Sequence, residues 1–288
     1  MALQLGTSLE CYLLFPLLNN FFYDITEDMN KITEGVIWKQ ILTFFFPILL
    51  GTFFQQLYNT SDAIIVGRFL GKEALAAVGG GTGTLINLLV GFFTGLSSGA
   101  TVIISQFYGA KHDKDTSYAV HTAIALAFIA GIIISIIGLC FSRLALIMIA
   151  TPEDMFQSAL TYIRIYFTGI IASIVYNMGA GILRAVGDSK RPLYFLIVSC
   201  IINIILDLLF IAVFHWGIAG AAWATVISQI VSMYLVLRCL THTTESYVLE
   251  IKKIRLIPSF LLKIVRIGLP AGVQSIMYTI SNIIIQAN

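Results

Sequence analysis

Charge is the first thing this sequence is short of. Only 11% of its 288 residues are Asp, Glu, Lys or Arg, against about 25% in soluble domains. Hydrophobic residues make up 58%, so water is not the solvent for most of the surface. Cysteine is scarce as well. Cys11, Cys140, Cys200 and Cys239 form no CxxC pair and have no histidine at metal-ligand spacing. That argues against a disulfide scaffold or a zinc module and reads them as apolar residues in or beside helices. Catalytic motifs are missing too: there is no P-loop, HExxH, DDxxD or GxSxG, so nothing points to an enzyme. The four histidines lie far apart, and His121, in the first turns of a span, is expected at the membrane interface. The sequon Asn59-Thr60-Ser61 falls inside an apolar helix and reads as chance.

What is present is a series of long apolar runs. Spans are expected at about 41–66, 75–108, 118–141, 159–183, 192–214 and 218–237, and a seventh begins near 264. Each is long enough to cross about 30 Å of hydrocarbon as a helix. The fold class is therefore an all-α polytopic membrane protein, a six-helix bundle plus part of a seventh transmembrane helix. Between Glu73 and Lys111 no residue is charged, which is more length than one span needs, and the run Gly79-Gly80-Gly81 with Gly83 is expected to break its start. Pro152 opens the approach to span four. Residues 1–33 read as an extension outside the fold, with Met29 as a second candidate start. Residues 34–240 form the bundle, 241–263 a cytoplasmic interfacial linker, and 264–288 the start of helix seven.

Basic residues set the orientation. With the N-terminus placed in the cytoplasm, 13 of the 17 Lys and Arg fall on the cytoplasmic side. The expected location is the cell membrane, multi-pass, N-terminus inside. The linker mixes Lys and Arg with Ile, Leu and Phe, as an interfacial segment does. Gly91, Gly95 and Gly99 recur every four residues and predict close helix packing. FFFPILLG…NTSDAIIVG in span one and IGLPAGVQ…TISNIIIQAN in span seven hint at a repeat, with Asp62 loosely matching Asn282.

Two carboxylates lie inside apolar spans. Burying one there costs roughly 2.5–3.5 kcal/mol on insertion scales, so each needs a reason. Asp207 follows Asn203 and Ser199 at four-residue steps on one helix face. Asp62 ends a stripe made by Gln55, Tyr58 and Asn59. Buried together, the two carboxylates could hold a proton or Na⁺; the Asn and Gln residues could equally serve as interhelical hydrogen-bonding groups.

Several segments then resemble one family. TEGVIWKQILTFFFPILLGTFFQQLYNTSDAIIVGRFLGKEALAAVG, SQFYGAKHDKD and ILRAVGDSKRPLY look like the N-terminal lobe of a multidrug and toxic compound extrusion (MATE) transporter, over about 33–288. The resemblance implies two six-helix lobes, so a second lobe is expected beyond helix seven. It also implies export of drugs or organic cations in exchange for H⁺ or Na⁺, with no other cofactor and no nucleic-acid partner. The family's N-lobe cation site maps to Asp62, Asn203, Asp207 and Thr225, the last from the resemblance alone. Gln55, Tyr58, Asn59 and Asn177 are candidates to line the substrate cavity. The alternatives are a lipid-linked oligosaccharide flippase of the same superfamily, which should show more basic cavity residues, or a truncated non-transporting product.

Overall fold

An uncharged run in lipid must satisfy every backbone polar group within itself, which leaves the helix as the solution for a single segment. The computed structural model describes residues 37–287, with side chains through Ser281, and every long element in it is helical. The expected extension at 1–33 lies outside the described residues, as does the side chain of Asn282. The chain divides after Thr43, and the helical bundle belongs to the unit that begins at Phe44.

Helix α1 runs Ile37–Phe69, with Pro47 inside it. The second span is divided, as its glycines predicted: α2 is Lys72–Gly79 and α3 is Gly81–Gly109. Next come α4, Asp113–Met148, and α5, Glu153–Ala185. Helix α6, Lys190–Asp207, passes into a π-helical stretch at Leu208–Val213. The last two are α7, Ile218–Thr241, and α8, Pro258–Ala287. Among the described residues, seven helical stretches have the length and apolarity to cross a membrane. The seventh starts at Pro258, ahead of the expected 264, because Pro258 supplies a favourable first helical residue. Helix α4 is longer than its apolar run at both ends, since Asp113 and Asp115 suit a helix N-terminus.

Three helix ends close with the same hydrogen-bond pattern. After α3, His112 N–H donates to Phe107 O at 3.0 Å and Lys111 N–H to Tyr108 O at 3.0 Å. After α4, Thr151 N–H reaches Leu146 O at 3.1 Å; after α5, Asp188 N–H reaches Leu183 O at 2.9 Å. These bonds satisfy carbonyls that the helix leaves over.

Packing relies on small residues and hydroxyls, because lipid gives helices no hydrophobic reason to associate. Helices α3 and α8 make the most extensive pairing. A Cβ on Gly91 would come within 2.7 Å of Ser275 Oγ, and one on Gly95 or Gly99 would strike the backbone at Gly272 or Gly268. Between α3 and α5, Ser97 donates to Asn177 O at 2.9 Å and Thr101 to Gly181 O at 3.1 Å. His121 is buried, beneath the linker. Its Nε2 accepts the Glu250 N–H at 3.0 Å, so its Nδ1 carries the proton and donates to Ser117 O at 2.7 Å. It fastens the linker to α4.

Candidate functional site

A cavity of about 690 Å³ is bounded by α1, the α2–α3 break, α5, α6 and α7. Gln55, Tyr58, Asn59 and Asn177 all line it. They are not equivalent. Gln55 and Asn59 are exposed. Asn177 turns its amide back to Ser173 O at 2.8 Å. Tyr58 is buried, and its hydroxyl lies 2.9 Å from Ser228 Oγ. Ser228 directs its own proton to Thr225 O at 2.8 Å, so Tyr58 is the donor in that bond. Ser199 donates to Ser228 O at 2.9 Å. One serine thereby joins α1, α6 and α7.

Behind this knot sit the four residues of the expected cation site. Asp62 and Thr225 reach the cavity wall, whereas Asn203 and Asp207 are absent from it and 0% exposed. The Asp62 and Asp207 carboxyls face each other across α1 and α6, close enough for each charge to act on the other. Asn203 lies one turn before Asp207 on the same face of α6. The cluster is under-bonded. Asp62 Oδ1, both Asp207 oxygens, both polar atoms of the Asn203 amide and Thr225 Oγ1 are buried with no hydrogen-bond partner. Buried polar atoms are nearly always paired, so six orphans on four neighbouring side chains mark a place built for something other than self-satisfaction. Five of the six are oxygens, the donor type that hard cations and protons take.

The π-helical stretch begins immediately after Asp207: Phe214 N–H donates to Leu209 O, five residues back, at 2.9 Å. Such turns recur at functional sites. No residue pattern announces it.

Other cavity residues were not anticipated. Tyr162 and Tyr166 on α5 are buried with rings stacked at 6.4 Å and 20°, and both line the cavity with Asp62. Arg184 lines the cavity farther along the same helix. The sequence did hold a signal: 162, 166, 173, 177 and 184 succeed one another at steps of four and seven, the period of one helix face.

A multi-span bundle with buried carboxylates beside a polar cavity defines a class of polytopic α-helical membrane protein with a polar core. The comparisons narrow the class. The MatE family model matches residues 47–209. The chain is 32% identical over 261 residues to the probable multidrug resistance protein YoeA of Bacillus subtilis, covering 88% of this chain and 56% of that protein. It is 33% identical over 250 residues to YpnP of the same organism, covering 86% and 55%. A crystal structure of MATE in complex with MaD3S superimposes with a TM-score of 0.80 at 27% identity, over 88% of this chain and 57% of that one. The chain belongs to the MATE family. It spans about half the length of the curated relatives it matches.

Proposed function

We propose that this chain forms the N-terminal lobe of a secondary multidrug exporter and carries the lobe's coupling-cation site. The observation that carries the reading is the under-bonded cluster of Asp62, Asn203, Asp207 and Thr225, sealed behind a cavity with one carboxylate at the boundary. A cation arriving through the cavity meets Asp62 first and Asp207 last. Neutralising the pair removes the repulsion between two facing carboxylates and lets α1 draw onto α6. The cavity wall between them then changes shape, and bound drug loses its fit. Cation and drug thus exclude each other, which is the requirement of antiport. The relatives, multidrug resistance and multidrug export proteins by name, suggest the substrate class.

Asp207→Asn keeps the size of the side chain and removes the charge. Expressed in a drug-susceptible host within the full reading frame that carries this chain, it should abolish resistance at an unchanged membrane level. Wild-type resistance from that variant would overturn the role. Drug transport in proteoliposomes under an imposed ΔpH or an imposed Na⁺ gradient identifies the cation, since only the coupled gradient drives it. The flippase reading gains nothing here: Arg184 is the one Lys or Arg among the described residues that line the cavity.

A further inference from the structure

A second cavity, of about 490 Å³, opens where the start of α4 meets the linker. Its wall carries Lys114 and Ser117 from α4, and Lys252, Lys253 and Arg255 from the linker. Four cations around one hollow repel one another, and a local acid offsets only one of them. Glu250 pairs with Lys253 at 2.5 Å, and Asp115 turns to His112 at 3.5 Å. Lys114 and Lys252 have no acidic partner among the described residues.

The hollow is also held in shape. The Arg255 guanidinium lies 5.5 Å from the centre of the Tyr118 ring, a cation–π contact that fixes it at the wall. The Glu250 N–H bond to His121 ties the cationic linker to α4. Next to these cations on the chain, Ile251 is 73% exposed, and at the start of α8 Leu262 is 69% exposed. Cations alternating with exposed aliphatics belong to a segment lying in the headgroup region, which brings the mouth of the hollow level with lipid phosphates.

We propose that this pocket binds the phosphate of an anionic lipid headgroup and that the lipid holds the linker against α4. A soluble phosphate would satisfy the same cations but leave Ile251, next to Lys252, bare, so the lipid is the occupant assigned.

Native mass spectrometry of the purified chain from vesicles of phosphatidylcholine and phosphatidylglycerol reads the preference directly. Wild type should retain phosphatidylglycerol over phosphatidylcholine. Lys114 and Lys252 are exposed, so Lys114→Gln/Lys252→Gln leaves packing intact. Each cation near an anionic surface is worth about fivefold in affinity, so the pair should weaken retention roughly 25-fold. Lys111→Gln/Arg266→Gln removes the same charge from exposed positions outside the pocket and should leave retention within about twofold. Retention that survives the first pair, or falls equally with both, overturns the site. Millimolar inorganic phosphate should leave the lipid bound; displacement by it would make the pocket a soluble-anion site and overturn the lipid assignment.

Discussion

Asp188 and Arg191 are both buried, with Arg191 Nε 3.1 Å from Asp188 Oδ2 and the Arg191 N–H donating to Oδ1 at 3.1 Å. Burial pushes the Asp188 carboxyl above its usual value, and the neighbouring guanidinium only partly opposes it. Removing the cation therefore strands a costly charge. Arg191→Leu should lower stability by about 3–5 kcal/mol, read as a lower melting temperature in detergent. The deficit should be smaller in mildly acid than in mildly alkaline buffer. A carboxyl whose folded value is raised holds its stability below the unfolded value and loses it as pH climbs through the folded one. Asp188→Asn/Arg191→Leu should recover much of the loss. At this scale the sequence was most readable where a residue contradicts its surroundings. Asp62 and Asp207 stand out because charge in an apolar run needs a reason. Tyr162 and Tyr166 did not, because tyrosine passes for apolar in a span and only its register on α5 shows which way it faces.

Helix pairing depends on a small set of glycines. Gly91, Gly95 and Gly99 present bare backbone on α3 to Ser275, Gly272 and Gly268 on α8. Gly95→Ala puts a methyl onto the Gly272 backbone, which has no side chain to swing aside. Overpacking of this kind costs about 1–3 kcal/mol, so the variant's melting temperature should fall. Gly51→Ala is the matched control: its added carbon meets nothing within 4 Å and should leave melting unchanged or slightly raised. The spacing of the α3 glycines could be read in advance, but their partner could not, because α8 lies more than 150 residues away on the chain and local pattern carries no information about pairing. The break at Gly80 was legible for the opposite reason, since three consecutive glycines weaken a helix by themselves. The π-helical stretch after Asp207 was not, because LLFIAV is an ordinary apolar run.

For the whole molecule, alternation along the chain ties every span to the orientation of one. Helix α4 contains 36 residues, about 54 Å of helix, against a hydrocarbon core of about 30 Å. Its two ends therefore lie on opposite faces of the bilayer. Lys111, in the turn before it, and Arg143, near its far end, are both exposed. The excess of Lys and Arg at the Lys111 end predicts that this end faces the cytoplasm. On a background in which the four native cysteines are replaced, Lys111→Cys should resist a membrane-impermeant thiol reagent in intact cells and react once the membrane is opened. Arg143→Cys should react without opening. The opposite result would invert the whole bundle, moving the proposed lipid pocket beside Lys114 to the outer leaflet. It would also reverse the face from which the proposed coupling cation would reach Asp62 and Asp207. Labelling of both positions from outside would mean that α4 does not cross at all, and the span assignment would fail with it.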